Sequence, residues 1–148
     1  MEQRRGVSIK LESMQDGTTY THHYSGEWFR KERSIYIRYI EQAGKADSEE
    51  EGIRTLIRYR PGEMSIARRG AIDSEQLFSV GQRLTGSYKS AMTAFSMETD
   101  TSMLALRSAD GELPASLPFT LEWKYKLYVD EQLAGRFHIR LYIQEEIQ

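Results

Sequence analysis

An all-β fold, a single antiparallel barrel of about eight to ten strands, is what this chain predicts, on three observations. Two C-terminal stretches alternate apolar and polar residues almost without error: Phe119, Leu121, Trp123, Tyr125, Leu127 and Val129 share one side, and Phe137, Ile139, Leu141 and Ile143 repeat the pattern after a turn. Turn dipeptides such as Asp16-Gly17 and Pro61-Gly62 punctuate similar stretches upstream. No long apolar stripe of period 3.6 with helix caps occurs anywhere.

The elements follow in order. Val7, Ile9 and Leu11 alternate up to Asp16-Gly17, a dipeptide suited to two-residue hairpins, and Tyr20, His22, Tyr24 and Trp28 then share one face of a second strand. Ile35, Ile37 and Tyr39 mark the third. Gly44 to Gly52 is polar, acidic and bounded by glycine, which reads as an exposed hairpin tip carrying a solvated charge run rather than a metal or partner site. Ile53, Thr55, Ile57 and Tyr59 alternate with Arg54, Leu56, Arg58 and Arg60 until Pro61-Gly62, and Met64, Ile66 and Arg68 share a face beyond it.

From Ala71 to Met103 the pattern loosens: Leu77, Phe78 and Val80, then Leu84 and Tyr88, then Phe95, Met97, Thr99, Thr101 and Met103. Glycines 70, 81 and 86 read as bends or bulges in strands that must curl, and Ser87 to Ala94 has room for one helical turn. Ser108 to Pro118 is the longest loop. So many strands joined by short turns must hide their edges, in a closed barrel or a two-sheet sandwich. Bulky aromatics from many strands (Tyr24, Trp28, Tyr39, Tyr59, Tyr88, Phe95, Trp123, Tyr125) favour the barrel, whose interior accommodates them.

Length and charge bound the function. The 148 residues suit one domain, 1–148, with a core large enough to need no metal or disulfide staple. Twenty basic against 22 acidic side chains leave a net charge of −2, so nucleic acid is not an expected partner without a local patch. The chain has no cysteine, hence no disulfide, thiolate nucleophile or Cys-ligated zinc. Met1 to Gly6 runs into a strand with no apolar leader core, and no stretch approaches 18 apolar residues, which predicts a cytoplasmic protein with no membrane partner.

Ser34-Ile35-Tyr36-Ile37-Arg38-Tyr39, the Gly62-Glu63 turn, Arg68-x-Gly70, Phe78-x-x-Gly81 and Tyr88 resemble the YwiB-like family of uncharacterised bacterial proteins. The resemblance covers most of the chain in strand order and length. It implies a small intracellular barrel of calycin-like (lipocalin-like) type and no particular activity. The chain departs from the family in the long linker before Pro118, where loop-borne specificity would differ.

Catalytic templates are missing. There is no Gly-rich phosphate loop in a strand-to-helix context and no nucleophile elbow, so binding rather than catalysis is expected, with no cofactor. His22 and His23 are adjacent on a strand and must face opposite sides, and His138 is far away in sequence, so no metal site is expected. Arg68 stands out. It shares the face of Met64 and Ile66, and a guanidinium facing an interior needs carboxylates, backbone carbonyls or a ligand anion.

Two functional readings follow. In the first, Arg68, Gln76, Tyr88 and Thr99, with Tyr24 among the inward aromatics, line a pocket at a barrel mouth for a small anionic or amphipathic ligand. A structural Arg68, its stem inside and its head at the rim, is the competing account. In the second, Arg38, Arg54, Arg58 and Arg60 form an outward face for single-stranded nucleic acid or an acidic protein. The first is preferred, because exposed alternating arginines are ordinary solubility chemistry. A homodimer is compatible with either.

Overall fold

Period-2 alternation runs through ten strands in the computed structural model, which describes residues 5–41 and 52–146. They are β1 (Arg5–Gln15), β2 (Thr18–Lys31), β3 (Ser34–Glu41), β4 (Ile53–Arg60), β5 (Glu63–Gly70), β6 (Ile72–Ser79), β7 (Arg83–Ser90), β8 (Ala94–Ser108), β9 (Phe119–Val129) and β10 (Gln132–Glu145). Each pairs antiparallel with its sequence neighbours, and β1 closes on β10, so no edge is left open. The segment expected to form the acidic hairpin tip lies largely in 42–51, outside the described residues. The strands flanking it pair from Ile35↔Tyr59 to Glu41↔Ile53.

Turn chemistry matches the backbone. Asp16 and Gly17 both have positive φ, 48° and 91°, which splices β1 to β2 in the twist a two-residue hairpin requires. Gly62, φ 88°, follows Pro61 in the β4–β5 turn. The room for a helical turn between Ser87 and Ala94 is not used: β7 runs to Ser90 and pairs with β8 from Arg83↔Asp100 to Lys89↔Ala94. Pairing on both sides outweighs the weak local preference. A bulge between Thr101 and Met103 shifts the register of β8, so Leu104 and Leu106 face Trp123 and Leu121. The expected single face from Phe95 to Met103 therefore breaks at the bulge.

The interior is built from the predicted parity. Val7, Ile9, Ile35, Ile37, Ile57, Tyr59, Met64, Phe78, Leu106, Phe119, Leu121, Trp123, Leu141 and Ile143 are all buried in one core. At one end the β8–β9 loop folds across, with Leu113 and Leu117 packed on that core and the Arg30 guanidinium donating to the Leu113 carbonyl at 3.1 Å. The opposite end, where β1, β3, β5, β7 and β9 finish, is the mouth.

Gly26 lets β2 pass close beneath β3. A Cβ there would lie 2.2 Å from the Arg38 carbonyl oxygen and 3.0 Å from Tyr39 Cβ. Gly26→Ala is therefore expected to destabilise by about 1–3 kcal/mol, as overpacking against backbone does. Urea unfolding measures it, and an unchanged midpoint would contradict this close approach.

Candidate functional site

Parity carries β3 one step beyond Tyr39, so that Glu41 also turns inward at the mouth. Its Oε2 accepts from Arg68 Nε at 2.8 Å, from Arg68 Nη2 at 2.7 Å and from Thr55 Oγ1 at 2.9 Å. The Arg68 and Glu41 side chains are 30% and 17% exposed, so the pair sits at the rim of the interior and in contact with solvent. Arg68 thus has its partner within the barrel: a carboxylate two strands away through β4, with Thr55 between them.

The pair lines a mouth cavity of about 350 Å³. Ser13, Gln15, Tyr20, His22, Tyr39 and Gln76 supply further polar groups, and Leu11, Ile57, Ile66, Trp123, Tyr125 and Ile139 supply the apolar wall. Two of its aromatics are backed by second rings. Tyr39 stacks on Tyr24 with centroids 4.7 Å apart, and Tyr125 on Phe137 at 4.9 Å. Burial, and then the Glu41 charge, push both the Tyr39 and Tyr24 hydroxyls above their ordinary value, so they stay protonated donors. Burial likewise pushes Tyr125 up to about 12, with a Gln76 hydrogen bond and the Arg68 charge pulling the other way.

The residues expected at this pocket divide. Arg68 and Gln76 line the cavity, and Tyr24 stands behind Tyr39. Thr99 is fully buried away from it, its hydroxyl without a hydrogen-bond partner among the described residues. Tyr88 stacks on Phe95 across the β7–β8 pair at 4.9 Å and does not line the cavity. Glu41 and Thr55 were missed, although the run Ile35, Ile37, Tyr39 already places the next residue of that parity, Glu41, inside.

The outward arginines border an open groove of about 740 Å³ with Leu56, Ile40 and Ala67 among its apolar residues and Arg38, Arg54 and Arg69 among its charged ones. Arg58 and Arg60 lie apart from it, beside Glu63, Leu77 and Gln82. Arg38 is paired with Glu27, Arg60 with Glu63 at 3.8 Å and Arg69 with Glu75 at 3.7 Å. Much of this charge is therefore spent within the protein. The groove is the larger space, and each has a half-exposed hydrophobic residue, Ile40 in the groove and Tyr20 at the mouth, but the mouth reaches the buried Ser13, Ile57, Trp123 and Tyr125 of the interior and polar groups converge on it.

A further cluster sits on the outer face of β8, β9 and β10. Glu122, its side chain 8% exposed, accepts from Arg107 Nη1 at 2.6 Å and Arg140 Nε at 3.0 Å, and hydrogen-bonds the His138 ring. Burial alone would raise the Glu122 carboxyl, but hydrogen bonds from His138, Arg107 and Arg140 outweigh it and hold it down to about 2. This cluster ties three strands together. His22 lies at the mouth, and its neighbour His23 faces outward opposite Lys10. No group of three or more metal-ligating side chains occurs among the described residues. Among the described residues no helix is long and apolar enough to cross a membrane.

Comparison with known proteins adds the following. A family model described as a domain of unknown function, DUF1934, matches residues 7–141. The crystal structure of the ywiB protein from Bacillus subtilis superposes with a TM-score of 0.75 at 16% sequence identity, covering 99% of this chain and 94% of that one. At that identity the likeness is one of fold. No curated protein matches the chain.

Proposed function

The chain belongs to the DUF1934 family, whose description assigns no activity, and we propose from its geometry that it binds a small amphipathic molecule in the mouth of its calycin-like barrel. The observation that carries this reading is the Glu41–Arg68 pair set into a cavity of about 350 Å³ whose remaining wall combines aromatic and aliphatic side chains with the polar Ser13, Gln15, His22, Thr55 and Gln76. A few convergent polar groups orient a ligand while apolar contacts supply most of its affinity. Because Glu41 already neutralises Arg68, a ligand with a full negative charge would meet the carboxylate as well as the guanidinium. An uncharged polar end suits the pair better, so the amphipathic class is preferred to the anionic one. Catalysis is not part of the proposal, because the carboxylate of this cavity, Glu41, is engaged by Arg68 and Thr55 rather than by a reacting group.

The test uses N-phenyl-1-naphthylamine, an uncharged amphipathic dye that brightens in apolar surroundings. Its emission should rise on titration with the protein. Gln76→Trp, which fills the cavity from β6, is expected to weaken binding at least about ten-fold, or ~1.4 kcal/mol. The outward double variant Arg54→Ala/Arg58→Ala is expected to bind as the original does. Undiminished binding by Gln76→Trp, or loss in the double variant, would remove the mouth as the site.

A further inference from the structure

Positive charges meet across β9 and β10 on the outer wall of the barrel. Lys126 stands directly opposite Arg136, and on the next outward rung Lys124 stands opposite His138. Side chains directly opposite in an antiparallel pair have Cβ atoms about 5 Å apart, so like charges placed there repel and destabilise the sheet. Elsewhere on the outer wall an acid answers: Arg38 is paired with Glu27, Arg60 with Glu63, Arg83 with Glu98, and Arg69, which opposes Arg54, with Glu75. On β9 itself Glu122 is taken by Arg107, Arg140 and His138. Asp100 stands opposite Lys126 on β8, and Asp16 accepts from the Arg136 backbone N–H at 3.3 Å. The exposed side chains of Lys124, Lys126 and Arg136 form no ion pair among the described residues. β9 stands four or more strands from β3 and β4 in either direction round the barrel, so this face is remote from the strands that flank 42–51.

The three cations share an open surface pocket of about 650 Å³ with His138, Asp16 and Ser102. Ser102 is the extra residue of the β8 bulge, and its exposed hydroxyl lies 3.5 Å from the Lys124 carbonyl oxygen. Successive outward residues on one strand lie about 7 Å apart, so the charges span about 5 Å across the strand pair and about 7 Å along it. A single phosphate or carboxylate reaches one rung, whereas a chain of two or three phosphates reaches both. Arg136 offers a planar fork and the lysines point charges, and both suit phosphoryl oxygens. The outward rings of these strands that could stack on bases are covered, Tyr128 by the Arg83 guanidinium at 3.8 Å and Tyr142 by Lys10 at 5.5 Å. Single-strand binding combines charge with stacking, so the face suits a phosphate chain better than a nucleic acid.

We propose that the outer face of β9 and β10 is a binding site for a linear oligophosphate group, held by Lys124, Lys126 and Arg136. The site lies on the outside of the barrel wall and is independent of whether the mouth takes a ligand.

Calorimetric titration of the whole protein with inorganic tripolyphosphate, at an ionic strength of about 0.15 M, tests it. Saturable binding is expected. Lys126→Gln/Arg136→Gln should weaken it at least about ten-fold, while Arg54→Gln/Arg58→Gln, which removes the same charge from another face, should leave it unchanged. Tripolyphosphate should also raise the Tm of the original protein and of the Arg54→Gln/Arg58→Gln variant, and not that of Lys126→Gln/Arg136→Gln. Adenosine triphosphate distinguishes the source of the group: tighter binding than tripolyphosphate assigns the chain to a nucleotide, equal or weaker binding to a free oligophosphate.

An equal loss of tripolyphosphate binding in both double variants would reduce the effect to net charge and overturn the site. Absence of saturable binding by either compound would overturn it too. Tighter binding of an oligothymidylate than of both compounds would assign the face to nucleic acid and sink the oligophosphate reading.

Discussion

Trp123→Ala is expected to cost about 3–5 kcal/mol of stability, the range for truncating a buried tryptophan. For a chain of this length that corresponds to a fall in Tm on the order of 10 °C. Trp123 is 2% exposed and sits between Leu104 on β8 and Ile139 on β10, with the Phe78 ring approaching edge-on at 6.1 Å across the interior. It is also the residue where the filled core meets the mouth cavity. Removing the indole extends that cavity downward, and strands hydrogen-bonded on both sides cannot collapse to refill it. The outward neighbour Lys124 provides the contrast, since Lys124→Ala removes no core volume and should stay within about 0.5 kcal/mol of the original. Thermal unfolding of both variants measures the difference. A Trp123→Ala loss below about 1 kcal/mol would mean that the interior is not packed as described.

Glu122 should give the second largest effect, and one that depends on pH. Its carboxyl is held at about 2, against an ordinary value of 4.5, in a side chain that is nearly buried. A depressed carboxylate stabilises the folded state at every pH above its unfolded value, and that contribution is lost as pH falls from about 4.5 through about 2. Near neutrality the contribution is on the order of 3 kcal/mol, from the size of the depression. Glu122→Gln should lose roughly that amount at pH 7, because Arg107, Arg140 and His138 are left around a neutral amide. It should also flatten the acid limb of the stability curve. Urea midpoints measured from pH 7 down to pH 2.5 check both points. A difference between the two proteins that stays constant across that range would dissociate Glu122 from the acid limb.

The strands were legible because a half-buried strand writes its period directly into the sequence. Ile35, Ile37 and Tyr39, or Phe119 through Val129, state which side faces the core without reference to any other segment. Asp16-Gly17 and Pro61-Gly62 mark their turns by backbone chemistry that is equally local. Where the local signal weakened, from Ala71 onward, the sequence left room for a helical turn and gave no sign of the bulge after Thr101. Both are decided by pairing with strands that are distant along the chain.

The candidate site divides along the same line. Parity by itself determined that Arg68 faces inward and needs a partner, and Gln76 follows from the same rule on β6. Which carboxylate answers Arg68 was decided only by the tertiary structure, because Glu41 lies 27 residues earlier in the chain and is brought to it by the register of β3, β4 and β5. Tyr88 and Thr99 have the right parity and the wrong place. One stacks on Phe95 at a strand end, and the other is sealed in the core. Alternation reports which face a residue occupies. Its height along the barrel axis, and so its membership of the mouth, depends on strand register and closure, which exist only once all ten strands have paired.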